Sequence, residues 1–263
     1  MYDVSGLGWT KHFNGTSDIL QYFGPEACLS GVGQKFFLTI RIFEISRALL
    51  FTEKTFLSEK KWQDLMAHIW DTRDIENWHP KEQLFDIMVS CSSLRCRGLK
   101  MIEELPHLST TKLDNELQAI ANEGLVLQSA LYNWEVTAKS WQQTGGTYTT
   151  DDQMTLSFIY FNTTTILLSG IFDYFPYWDD RLILTPTISR SNTQECVCTI
   201  LSLITIALQQ RRLAGILFMV PLRVAGARAS TVEQKTTIAA ILEEISYRGF
   251  VAADAIALDL KDS

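Results

Sequence analysis

The chain has 263 residues, 46% of them hydrophobic and 20% charged, which is enough to bury a substantial apolar core. Its 30 acidic residues outnumber 23 basic ones for a net charge of -7. Neutralising phosphates needs clustered Lys and Arg, so direct binding to nucleic acid is not expected of this chain. Its 6 prolines and 14 glycines fall mostly between long runs with helical spacing, the punctuation of an all-α fold.

The opening residues, MYDVSGLGW, lack a basic stretch followed by an apolar core, so neither a secretory signal nor a transit peptide is read there, and a cytoplasmic or nuclear location is expected. The segment Phe36 to Phe51 is apolar nearly all round except for Arg41, Glu44 and Arg47, which form a narrow charged stripe. A mostly buried helix needs internal partners for such a stripe. Two readings follow: a structural ion-pair network, or a guanidinium of Arg41 or Arg47 offered to an anionic or carbonyl ligand. Trp62 and Trp70 stand close to two helical turns apart and share a face, while Pro80 puts Trp78 and His79 past the helix end.

Thr111 to Trp141 carries the clearest periodicity. Leu113, Leu117, Ile120, Gly124, Leu127, Leu131, Trp134, Ala138 and Trp141 recur in steps of four and three and make one apolar seam, opened by a Thr111–Asp114 capping pair. Gln142 to Thr150 reads as a loop. Phe158, Asn162, Thr165 and Ser169 then share a face of an otherwise apolar helix, a stripe that either pairs with neighbouring helices or lines a pocket. Asp173 to Thr187 is irregular and carries an aromatic group around Tyr177 and Trp178 that serves either packing or a cavity.

Val197 to Leu208 and Leu213 to Leu222 form the most apolar region, but Gln209 to Arg212 divide it into pieces shorter than the ~18 residues that span a bilayer. Buried helices are expected rather than a membrane span. Ser230 and Glu233 mark the start of a last long helix through Ile238, Ile241, Leu242 and Ile245, with Gly249 as its C-terminal cap. Roughly ten helices in one domain over residues 1–263 follow from this punctuation.

Motifs for chemistry are sparse. Cys28, Cys91, Cys96, Cys196 and Cys198 have no zinc-ligand spacing and the histidines no H-E-x-x-H, so neither a metal nor a cofactor is expected. A pocket is expected between the helix carrying Arg41, the seam ending at Tyr132 and Trp134, the helix carrying Asn162 and Thr165, and the Asp173 to Trp178 loop. In it Asn162 and Tyr177 would donate hydrogen bonds, Arg41 would recognise a carbonyl or carboxylate, and Trp178 would give shape.

Four stretches taken together resemble the fungal-specific transcription factor domain, the regulatory region that follows the zinc binuclear cluster in fungal regulators. They are Trp9 to Pro25 (WTKHFNGTSDILQYFGP), Arg41 to Trp62 (RIFEISRALLFTEKTFLSEKKW), Glu123 to Trp134 (EGLVLQSALYNW), and Leu168 to Tyr174 (LSGIFDY) continuing through Leu213 to Ala229 (LAGILFMVPLRVAGARA) to Glu243 to Leu260. The resemblance implies an all-α domain with an internal pocket or groove that senses metabolites or contacts the transcription machinery. The six-cysteine DNA-binding module of such regulators would precede Trp9, where this sequence has eight residues. One expectation is therefore a repurposed pocket that binds a hydrophobic fungal secondary metabolite, a terpenoid or polyketide, and catalyses a cofactor-free isomerisation, intramolecular cyclisation or cycloaddition. The alternative is a non-enzymatic metabolite-sensing or transactivation domain. Oligomeric state stays open, a homodimer included.

Overall fold

The computed structural model describes residues 7–72, 79–104, 110–144, 151–173, 175, 177–211 and 213–260, with side chains left aside at 7–14, 104, 110–112 and 144. Among these residues ten α-helices follow one another and no strand occurs: α1 (Leu7–Phe23), α2 (Gly31–Phe51), α3 (Lys60–Thr72), α4 (Lys81–Glu104), α5 (Thr110–Thr144), α6 (Asp152–Ser169), α7 (Arg190–Gln210), α8 (Met219–Arg228), α9 (Val232–Tyr247) and α10 (Ala252–Asp259). The all-α expectation holds. Buried apolar side chains from all ten helices join in one continuous cluster.

α6 is the centre of the arrangement, packed by α4, α5, α7 and α8. Its sequence has apolar residues on every side, which is the signature of a helix with no solvent face. Several of the polar residues it carries are satisfied within the helix, while the buried Thr164 hydroxyl has no hydrogen-bond partner among the described residues. Ser157 and Thr163 donate their hydroxyls to the carbonyls of Gln153 at 2.7 Å and Ile159 at 2.8 Å, each one turn back. Tyr160 crosses the core, donating to the Leu217 carbonyl at 2.9 Å and accepting from Ser46 of α2 at 2.8 Å.

The α5 seam is buried from Leu113 through Ala138, and the helix extends to Thr144, past its last apolar residue. Gly124 sits where that seam meets the Asp173–Thr187 segment: a Cβ there would lie 2.8 Å from Pro186 and 2.9 Å from Phe172. The side chain of Thr111 lies outside the described residues, so the capping pair read at Thr111–Asp114 does too.

Two boundaries differ from the sequence reading. The helix expected at Val197 begins earlier, at Arg190, capped by Ser189, whose hydroxyl accepts from the Asn192 N–H at 3.1 Å. The resulting α7 is, among the described residues, one helix long and apolar enough to cross a membrane by length and composition. Its buried residues Val197, Ile200, Leu201, Ile204, Ala207 and Leu208 recur at i, i+3, i+4 and i+7, the stripe of a helix with one face on a protein core. The other difference is at α9. Its cap is Thr231, one residue after Ser230, and Gln234 completes the box with its side chain accepting from the Thr231 N–H at 3.2 Å. Gly249 closes the same helix in the left-handed conformation, φ 97°, as expected of a C-terminal cap.

Candidate functional site

Of the residues expected to share a pocket, Asn162 and Thr165 hydrogen-bond within their own helix. Asn162 is buried, and its Nδ2 donates to the Phe158 carbonyl of its own helix at 2.8 Å. Thr165 does the same to Phe161 at 2.9 Å. Trp134 is fully buried, stacked on Phe161 and edge-on to Phe158, and its indole N–H donates to the Pro80 carbonyl at 2.8 Å. Tyr132, two residues earlier, points outward and is 64% exposed. Trp178 turns into the core against Phe172 with its indole N–H unpartnered among the described residues, and Tyr177 is half-buried against the core. Asp173 accepts from Ser169 Oγ at 2.8 Å and faces Arg228 at 3.5 Å. Tyr174 lies outside the described residues.

Arg41 is the most constrained of the set. It is buried to 1% exposure between two carboxylates of α4, Glu82 and Asp86, the latter at 2.8 Å. Nη2 also donates to the Glu82 carbonyl at 2.9 Å, and the guanidinium lies over the Phe85 ring with its carbon 5.3 Å from the centroid. Trp70 donates to the other oxygen of Asp86 at 2.9 Å. Burial pushes the Asp86 carboxyl up, against the pull of Arg41 and the Trp70 hydrogen bond. Arg41 thus borders a cavity of about 280 Å³ with Trp62 and Trp70, but its charge is already met by two anions. The rest of the α2 stripe is likewise internal: Arg47 pairs with Glu44 at 2.8 Å, and Glu44 accepts from Ser17 of α1 at 2.6 Å. Of the two readings of this stripe, the geometry fits the ion-pair network.

A larger groove of about 580 Å³ opens elsewhere, where the C-terminal ends of α2 and α6 meet α4, α8 and the end of α10. α2 terminates at Thr52 in the left-handed conformation, φ 56°, which leaves the carbonyls of its last turn facing this groove. Arginines from two other helices reach them. Arg95 of α4 donates through Nη1 to the Leu49 carbonyl at 3.0 Å and to the Thr52 hydroxyl. Arg223 of α8 donates to the Leu50 carbonyl at 2.9 Å and pairs through Nε with Asp259 of α10 at 2.9 Å. Arg228, one turn and a half along α8, passes over Gly170, where a Cβ would stand 2.9 Å from its Nη2, to reach Asp173. Among the described residues no carboxylate lies within ion-pairing distance of Arg95; burial and the neighbouring charge of Arg223 both draw its pKa down. Leu50, Ile166, Val220 and Val224 supply the apolar wall. Sequence reasoning passed over Arg95. The signal that was present is Arg223 and Arg228 standing inside the apolar run LAGILFMVPLRVAGARA.

Comparison with known families matches residues 1–257 to the fungal specific transcription factor domain. The chain belongs to this family. A relative, the uncharacterized protein AN5342 of Emericella nidulans, is 29% identical over 115 residues, which is 44% of this chain and 22% of that protein. The chain therefore matches less than a quarter of the length of that relative. No solved structure matches. In this fungal transcription factor domain the groove is assembled largely from the stretches that carry the family resemblance: Leu49 to Thr52 from the second, Gly170, Arg223 and Arg228 from the fourth, and Asp259 from its close. Arg95 stands outside all of them.

Proposed function

We propose that the chain is the regulatory, non-catalytic module of a fungal transcription regulator, one that senses a small molecule or contacts the transcription machinery. The observation that carries this reading is the family match over nearly the whole chain. A cyclase or isomerase of terpenoids or polyketides would need a donor directed at the reacting atoms. Of the two donors that reading relied on, Asn162 and Tyr177, Asn162 gives an amide N–H to the Phe158 carbonyl of its own helix. The regulatory reading asks less: a cavity whose occupancy changes how helices meet. The 580 Å³ groove, where five helices converge, supports it, because a ligand there would bear on α2, α4, α6, α8 and α10 together. DNA would be reached through a separate module or a partner, in keeping with the net charge of -7 and with a nuclear site of action.

The test is to fuse the chain to a heterologous DNA-binding module and read a reporter gene carrying the cognate site. Reporter output that depends on the fused chain and is altered by a substitution in the groove is expected. An inert fusion, together with cofactor-free turnover of a terpenoid or polyketide intermediate by the purified chain, would replace this reading with the catalytic one.

A further inference from the structure

The groove described above holds an imbalance of charge. Arg223 is balanced by Asp259 and Arg228 faces Asp173. The C-terminal end of α2 contributes roughly half a negative charge, shared between Arg95 and Arg223, which bond to neighbouring carbonyls. Arg95 has no carboxylate among the described residues. Its Nη1 is committed to the end of α2, and a guanidinium offers further N–H donors in a fixed fork. Half-buried cations in proteins are normally paired, because removing a charge from water is costly unless an opposite charge replaces the lost hydration. At Arg41 the same fold supplies two carboxylates for one guanidinium. At Arg95 it supplies none, and leaves a cavity instead.

We propose that this groove binds an amphipathic small molecule bearing one carboxylate, with the carboxylate on Arg95 and the apolar body along Leu50, Ile166, Val220 and Val224. A single anionic group suits the single unbalanced charge, whereas a multiply charged ligand would need cations that Asp259 and Asp173 already occupy. The apolar wall requires a body as well as a head, and about 580 Å³ lies in the range that takes a ligand of drug size. Asp259 is a built-in competitor: it holds Arg223, the second guanidinium at the groove, and Leu260 beside it is fixed against Gly226, where a Cβ would lie 2.5 Å from its methyl. A ligand carboxylate that draws on Arg223 must displace Asp259, and with it the end of α10. This proposal rests on the regulatory reading for its purpose, though not for its chemistry.

The experiment is calorimetric titration of the purified full chain with decanoate, with methyl decanoate and acetate as the controls that keep the tail or the head alone. Decanoate is expected to bind and both controls to fail. Arg95→Met keeps the apolar stem and is expected to weaken decanoate by about 10- to 100-fold, the equivalent of one charge-assisted hydrogen bond. Asp259→Asn, an exposed site, is expected to tighten it about threefold or more by freeing Arg223. Circular dichroism on both variants reports folding, and if Arg95→Met unfolds, Arg95→Lys, which keeps the charge and loses the fork, is expected to bind more weakly than the native chain. Equal binding of methyl decanoate, unchanged affinity in a folded Arg95 variant, or binding of a hexaglutamate peptide in place of decanoate would each overturn the proposal. Decanoate binding beside an inert reporter fusion would sink the regulatory reading and leave the groove chemistry standing; a responsive reporter with no decanoate binding would do the reverse.

Discussion

Arg41 and Arg95 are both cationic side chains drawn in from solvent at helix–helix contacts, and the protein treats them in opposite ways. Arg41 is sealed between Glu82 and Asp86 of α4, backed by Phe85 and by the Trp70 hydrogen bond to Asp86. Arg95 caps the end of α2 and, among the described residues, meets no carboxylate. The sequence makes Arg41 the more conspicuous, a charge in the middle of an apolar helix. The structure shows why conspicuousness misleads: a charge in an apolar segment must be balanced for the helix to be buried at all, so the strongest sequence signal marks a structural pair. The unbalanced charge, free to take a ligand, lies in the more polar run SSLRCR of α4, where nothing local distinguishes it.

The comparison is broken most directly at Arg41. Arg41→Met leaves Asp86 without its cation and Glu82 with Lys81 alone, 3.5 Å from its other oxygen, and removing one member of a buried ionic cluster costs about 3–5 kcal/mol. A large fall in melting temperature is expected, with partial recovery on adding Glu82→Gln and Asp86→Asn. If Arg41→Met melts with the native chain, the ion-pair account of this cluster fails.

Arg95→Met should cost less. It loses hydrogen bonds from a charged group to the Leu49 carbonyl and the Thr52 hydroxyl, about 1.5–3 kcal/mol, and part of that returns as a half-buried charge is no longer held out of water and Arg223 is relieved of a like charge. The difference between the two arginines, read by denaturant unfolding, is the sharpest measure of which charge the fold needs. A loss at Arg95 equal to that at Arg41 would make it a structural residue.

His79 gives a third treatment, a cation the fold declines to form. Its Nδ1 accepts from the Lys81 N–H at 3.1 Å, so the hydrogen resides on Nε2, which donates to Asp151 at 3.0 Å; Asp151 in turn caps α6 at Gln153 and Met154. Protonation would put a hydrogen where Nδ1 must accept, and burial, the larger influence, lowers the pKa below its usual 6.5. A folded-state pKa below the unfolded value means the unfolded chain takes up the proton first. Stability is therefore expected to be full above pH 6.5 and to fall as pH drops from there through the folded value, then level off. His79→Gln, which can still donate to Asp151, should remove this inflection from a pH series of thermal melts. An inflection that persists would assign it to another group.

How much of this was legible in sequence follows from where periodicity exists. The α5 seam, the Gly249 cap and the all-α class were readable because one-sided burial writes a 3.6-residue pattern and left-handed caps select glycine. α6 was harder. With apolar residues all round it carries no period, so Asn162 and Thr165 looked like a stripe when they are polar groups satisfied one turn back. Trp178 lies in an irregular segment whose sequence fits packing or a cavity equally, and it fills the core beside Phe172. The groove was the least legible of all. Arg95, Arg223 and the end of α2 come together only through the packing of three helices, and no spacing along the chain encodes that.

Asn162→Ala is expected to have the smallest effect, for reasons that follow from its single hydrogen bond. The Phe158 carbonyl it meets is an interior helical carbonyl, placed to accept the backbone N–H one turn on, so losing the amide leaves no orphaned acceptor. Alanine favours a helix interior over asparagine by up to ~0.7 kcal/mol. Against that stand the lost side-chain bond and a void smaller than one made by removing a large apolar side chain. The net is a change of no more than about 1 kcal/mol in either direction, measurable by chemical denaturation, with decanoate affinity unaltered because Asn162 does not line the groove. A drop of about 3 kcal/mol or more, the scale of a lost buried network, would show that Asn162 holds more than its own helix. A near-neutral variant that lost a cofactor-free cyclisation would place the amide at reacting atoms after all, because only a contact made in a transition state can vanish without disturbing the fold.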